Sequence, residues 1–193
     1  MEERIKIPVM YTASAFVLVI VGVVAFVAGF MNDVTRGWAN LLLNNFYFVS
    51  LAVGAVVFLS IQRVTQSGWS AGFIRVPEAM GAFLPAGAIL FLALTPGIHS
   101  LYHWSHAEAL AHDPLLAHKA PYLNVPFWII RMVVYFALWI LLYYLLRKYS
   151  LKEDREGGMD HFRRLEHYAR IFIFVILITF SMAGIDWIMS IDA

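Results

Sequence analysis

Cysteine is absent from the 193 residues. That excludes disulfides, thiolate zinc sites, Cys-ligated iron–sulfur clusters and haem attached through a CxxCH motif. Charge is scarce: Asp, Glu, Lys and Arg make up 14% of the chain, against about 25% in an average soluble domain. The formal net charge is only +1, so the chain lacks the basic footprint of a nucleic-acid binder and no nucleic-acid partner is expected. No internal repeat or low-complexity tract is visible. What the chain has in excess is apolar: 61% hydrophobic residues and a mean hydropathy of +0.72. One soluble domain of this length has no use for so much apolar surface. A bilayer does.

Crossing the hydrocarbon core takes roughly 20 apolar residues as a helix. No charge occurs in residues 7–32 or 37–62. A third run starts at Pro77 and Glu78 and reaches residue 98; a fourth covers 125–146 around Arg131; a fifth covers 171–191 around Asp186. The apolar stretch 9–30 is too long for a signal-peptide core and reads as a retained span. The expected fold class is therefore all-α, a polytopic membrane protein. Its five transmembrane helices would lie at about 8–31, 39–62, 78–98, 125–147 and 170–191 in one membrane domain.

Lys and Arg gather on the cytoplasmic side of membrane proteins. Arg4 and Lys6 precede span 1, Arg63 and Arg75 lie between spans 2 and 3, and Arg147, Lys148, Lys152, Arg155, Arg163, Arg164 and Arg170 lie between spans 4 and 5. Arg36 and Lys119 are all that the opposite side carries. The N-terminus is thus expected in the cytoplasm and the C-terminus outside. Trp38, Trp104 and Trp187 would anchor the outer boundary, and Tyr143, Tyr144 and Tyr149 the inner one. The segment 147–170, short, of mixed charge and centred on Gly157 and Gly158, reads as a solvated connector. Small residues recur at helical spacing (Gly22, Ala25 and Gly29; Ser50 and Gly54; Gly81, Ala82 and Pro85), as in helices that approach closely.

Arg131 and Asp186 each lie sixteen residues from the inner boundary, taken at Arg147 and Arg170. At about 1.5 Å per residue both sit roughly 24 Å above it, on consecutive antiparallel helices. A lone charge there costs about 2.5–3.5 kcal/mol on the lenient insertion scale. The two are expected to pair or to share a polar pocket, as a structural ion pair or as part of a proton or ligand path; Arg131 snorkelling outward is the remaining option. Glu78, just after Pro77, suits the first turn of a helix, where the dipole favours a carboxylate; it also suits a mouth for proton exchange. Segment 99–124 holds five of the seven histidines. Residues 99–112 read as one helix stopped by Asp113 and Pro114, which would align His99, His103 and His106 on one face. That face could ligate a metal, handle protons, meet a partner, or be the polar side of an interfacial helix burying Leu101, Trp104 and Leu110. With His161 and His167 on the other side and no histidine inside a span, the chain alone is a poor holder for a haem between two axial histidines. No metal or cofactor is assigned to this chain by itself.

Three stretches carry a more specific signal: 61–70 (IQRVTQSGWS), 118–127 (HKAPYLNVPF) with Trp128 to Arg131 following, and 186–192 (DWIMSID). With the His-bearing loop, they resemble the F-subunit family of alternative complex III, a bacterial quinol:cytochrome c oxidoreductase. That family is itself similar to polysulfide-reductase-type membrane subunits. The resemblance covers nearly the whole chain. It implies a bacterial inner-membrane location, partner subunits of an electron-transport complex, and haem c and iron–sulfur clusters in those partners. It also implies a role as helical scaffold, proton path or part of a quinol site. The family pattern carries over to Arg131, Asp186 and the histidine loop as motif positions; with Glu78, His99 and His103 they are the candidates for such a path or site, with quinol as the ligand. Family members have about ten spans, so this chain resembles the N-terminal half, with span 1 at the edge and spans 2–5 as a four-helix bundle. The competing classes are a proton-conducting or transporter-type protein and a catalytically silent assembly scaffold. Against a transporter, no repeated half and no pair of broken helices stands out.

Overall fold

The computed structural model describes residues 8–192, and every regular element among them is helical. Arg4 and Lys6 lie outside the described residues, as do the side chains of Leu110 and Asp192. Five segments are long and apolar enough to cross a membrane: Val9–Asn32, Val34–Val64, Arg75–Leu92, Val125–Glu156 and Met159–Ile191.

Helices α1 (Val9–Asn32) and α2 (Val34–Val64) are separated by Asp33 alone. Its extended backbone breaks the helix, and its carboxylate accepts the Arg36 N–H at 3.0 Å, an N-cap that satisfies a donor the helix leaves orphaned. The third span is not the continuous helix expected over 78–98. It divides into α3 (Arg75–Gly81) and α4 (Leu84–Leu92). Pro85 has no N–H to return to the carbonyl of Gly81, and the chain turns there on tighter bonds, Ala82 N–H to Ala79 and Phe83 N–H to Met80. A 3-10 turn over Thr95–Gly97 then leads into the short α5 (Ile98–Leu101).

The expected single helix over 99–112 is also overturned. Tyr102 and His106 both take extended backbone, leaving α5, a 3-10 turn at His103–Ser105 and α6 (Ala107–His112). Asp113 stops α6 and caps α7 (Pro114–Lys119), accepting from Leu115 and Leu116. The connector 147–170 is not a loop. Helix α8 (Val125–Glu156) continues into it, and α9 (Met159–Trp187) begins after only two intervening residues. Gly157 and Gly158, with φ of 64° and 87°, make the whole turn in a conformation open to glycine. Leu, Lys, Glu and Arg are good helix formers, so mixed charge alone did not end the helix. The end carrying this turn is called the hairpin end below, and the other the loop end.

Spans 2–5 pack as a four-helix bundle, with α8 against α9, α2 against α9, α3 and α4, and α4 against α8. Helix α1 has no buried residue and leans on α2 from the edge. Leu42, Val49 and Val56 line the inner face of α2 at seven-residue spacing. The loop-end half of the core is aromatic. The Trp187 ring lies 4.1 Å from Phe91, 5.6 Å from Phe136 and 5.9 Å from Trp139, centroid to centroid. Trp104 and Trp187 are fully buried, so they are core residues and not the interfacial anchors expected; a ring at the headgroups would be exposed. Tyr143 is buried likewise, while Tyr144 is exposed. Of the small-residue stripes, Gly81 makes a close approach: a Cβ there would fall 2.5 Å from the Tyr143 ring, whereas Gly22, Gly29 and Gly54 face open space.

Candidate functional site

Two polar networks sit inside the bundle, one toward each end. At the loop end, α8 and α9 bring Arg131 and Asp186 together in a fork: Arg131 Nε donates to Oδ2 at 2.8 Å and Nη2 to Oδ1 at 3.0 Å. Asp186 is 0% and Arg131 6% exposed. The bidentate geometry suits a guanidinium–carboxylate pair taken out of water. The remaining polar atoms are also engaged. Arg131 Nη1 donates to the Tyr122 carbonyl at 2.9 Å, and Tyr135 Oη donates to Asp186 Oδ2 at 3.2 Å. The guanidinium carbon lies 3.9 Å from the Tyr122 ring centre and 4.4 Å from that of Phe127, a double cation–π contact.

The backbone around the pair is held as well. The Asp186 carbonyl accepts from Trp128 Nε1 at 3.0 Å and Ser190 Oγ at 2.5 Å, and the Trp187 carbonyl from Tyr102 Oη at 2.9 Å. These carbonyls end α9 and would otherwise be orphans. Burial pushes the Tyr102 phenol well above its ordinary value, with the Asp186 charge adding to the shift; Tyr102 is therefore a fixed donor, not an acid. Burial raises Tyr122 as well, its hydrogen bond to Asp186 coming next.

At the hairpin end Glu78 is 3% exposed. Its carboxylate accepts from Arg75 and from Ser150 of α8, and Arg75 also binds Asp154. Tyr143 Oη donates to the Glu78 carbonyl at 2.7 Å, and Arg147 Nη1 to Tyr143 Oη at 3.1 Å. Arg63 of α2 closes the cluster with Glu153 at 2.9 Å. Glu78 is thus more than a dipole-satisfying first-turn carboxylate. It ties the start of α3 to the far end of α8.

Along α8, residues four apart span the distance between the two networks. Arg131, Tyr135, Trp139, Tyr143 and Arg147 follow one i+4 ridge that winds slowly around the helix, buried as far as Tyr143 and exposed at Arg147. Between the ends, Trp139 Nε1 donates to Thr179 Oγ1 of α9 at 2.8 Å. From Arg131 to Ser150 this ladder rises about 28 Å at 1.5 Å per residue, close to the thickness of a hydrocarbon core. Sequence reasoning named only its ends, Arg131 and Glu78 among them, and missed Tyr135, Thr179, Tyr143, Ser150 and Arg75. The four-residue spacing was available as a signal, but aromatic residues at helical spacing do not announce whether their polar tips find partners.

The histidines bond to neither the Arg131–Asp186 pair nor Glu78, although His99 reaches Ser105, which donates to the Tyr102 carbonyl at 2.7 Å. His99 Nδ1 contacts Ser105 Oγ at 3.1 Å, and His106 Nε2 contacts the His99 carbonyl at 2.8 Å. The His99 and His106 rings lie 5.7 Å apart, and His103 is exposed on the intervening turn. The three do not share a helical face. No group of three His, Asp or Glu side chains among the described residues is placed to hold a metal.

Five apolar crossings, a bundle of four of them and charged networks buried within it define a polytopic helical membrane protein. No family model matches the chain, and no curated protein matches it.

Proposed function

We propose that this chain is a membrane subunit of a bacterial quinol:cytochrome c oxidoreductase of the alternative complex III type, supplying helices and a proton path. Its N-terminus would lie in the cytoplasm. Haem c and iron–sulfur clusters would belong to partner subunits. The observation that carries the proton-path reading is the ladder on α8. Asp186, Tyr135, Thr179, Tyr143, Ser150 and Glu78 put hydroxyls and carboxylates at intervals along about 28 Å of apolar bundle. Intramembrane ionisable groups are costly, and chains of them are a recurrent feature of proton relays. The resemblance of residues 61–70, 118–127 and 186–192 supports the choice of complex.

A quinol pocket in this chain alone is less well supported. Such a pocket needs an apolar cleft with a hydrogen-bonding head group. The apolar groove between α2 and α9, about 430 Å³, is lined by Phe46, Val53, Gly54, Ile176 and Phe180 with Ser50, and by none of Glu78, His99, His103, Arg131 or Asp186.

The test is proton release per electron in vesicles containing the assembled complex. Glu78→Gln and Tyr135→Phe are expected to lower it while the complex still co-purifies with its haem-bearing subunits. Wild-type stoichiometry in both variants would remove the proton path and leave the assembly scaffold. Proton flux through the chain reconstituted alone would favour the channel class instead.

A further inference from the structure

Beyond the buried networks, the structure separates charge on the hairpin end of α8. Counting about 20 residues from Val125 exhausts a hydrocarbon core of about 30 Å near residue 145. The next two turns therefore stand at a membrane boundary. There Tyr144, Arg147, Lys148, Leu151 and Lys152 line a shallow groove of about 340 Å³. Their spacing places them on one helical face. The carboxylates of the same segment are engaged away from these cations: Glu153 binds Arg63 of α2, Asp154 binds Arg75 of α3, and Glu156, at the rim of the groove, contacts His161 of α9 at 2.7 Å. Asp160, on the neighbouring turn of α9, acts on Arg164. Arg147 donates one N–H to Tyr143 and keeps its other donors for the groove. Lys148 and Lys152, four residues apart, repel each other along the helix. An anion between them relieves that repulsion.

We propose that this face binds the phosphodiester headgroup of an anionic phospholipid. The cations meet the phosphate, while the exposed Tyr144 ring, one turn nearer the hydrocarbon, borders the glycerol and upper acyl region. A lipid is favoured over a soluble anion because the groove starts at the aromatic Tyr144 on the hydrocarbon edge and its cations begin one turn farther out, the order in which a phospholipid runs from chain to headgroup. It lies at the boundary whichever side of the membrane that is.

The test uses the full chain, delipidated in neutral detergent. Spin-labelled phosphatidylglycerol and phosphatidylcholine are titrated in turn, and the motionally restricted fraction is read by electron paramagnetic resonance. Phosphatidylglycerol is expected to be preferred, with the preference falling about fivefold per cation removed through Arg147→Gln, Lys148→Gln and Lys152→Gln. The variant carrying Arg147→Lys, Lys148→Arg and Lys152→Arg keeps the charge and is expected to keep the preference, which separates charge loss from misfolding. Equal restriction of both lipids by the wild-type chain overturns the proposal, and so does an unchanged preference in the neutralised variant. Displacement of phosphatidylglycerol by an equal concentration of inorganic phosphate also overturns it, assigning the face to a free anion.

Discussion

At the residue scale, Arg131 and Asp186 illustrate why a buried ion pair is a constraint more than a source of stability. Both ions have given up water, and their fork returns that cost only while both are present. Asp186→Ala leaves a guanidinium buried beside Tyr122 and Phe127. It is expected to destabilise the chain in detergent by about 3–5 kcal/mol, measured by equilibrium unfolding. Replacing both partners, Arg131→Met with Asp186→Leu, is expected to cost far less, because no unpaired charge remains. A double variant as unstable as Asp186→Ala would show that the pair itself, not the orphaned charge, holds α8 to α9. Tyr143 makes a smaller test. Its hydroxyl serves the Glu78 carbonyl and Arg147, so Tyr143→Phe is expected to cost about 1–3 kcal/mol as a buried acceptor loses its donor.

At the scale of elements, two breaks shape the bundle, and each has a local chemical cause. The third span bends where Pro85 cannot bond to Gly81, and Gly81 lets α3 sit against Tyr143. A methyl at Gly81 would meet Tyr143 at 2.5 Å and Val56 at 2.7 Å. Gly81→Ala is therefore expected to destabilise the bundle by about 1–3 kcal/mol, the usual cost of overpacking, and to do so without changing helix content by circular dichroism. The α8–α9 hairpin turns on Gly157 and Gly158 at positive φ. A double alanine substitution there is expected to strain the turn while leaving the buried networks intact, so unfolding should begin at the hairpin. Hydrogen exchange faster at 150–165 than in the parent would show it; uniform protection would mean that the turn tolerates a side chain.

At the scale of the whole molecule, the Lys and Arg gathered between spans 4 and 5 predict that the hairpin end faces the cytoplasm. The chain has no cysteine, so single Cys variants at Gly158 and His112 label without background. They are expected to react with a membrane-impermeant maleimide from opposite sides, Gly158 from the cytoplasmic side. Labelling of Gly158 from outside would invert the topology. Helix α1, with no buried residue, meets lipid along most of its length in this chain.

Much of this was legible in one dimension. Hydrocarbon thickness converts directly into a run length, so the apolar stretches and the five crossings could be read from composition and spacing, whereas the edge position of the first span came only with the resemblance. Depth along a helix is also linear in residue number, which is why Arg131 and Asp186 could be expected to meet. Contacts between turns of different helices are not linear in anything the sequence displays. Whether Trp187 faces lipid or Phe91, whether Glu78 ends at a helix dipole or at Ser150, and whether the histidines share a face depended on how the bundle closes and where the backbone breaks. The sequence by itself determined that this protein lives in a membrane and how many times its chain is long enough to cross. Only the tertiary structure decided which of its polar groups are joined, because each hydroxyl and carboxylate takes the partner that packing brings within about 3 Å.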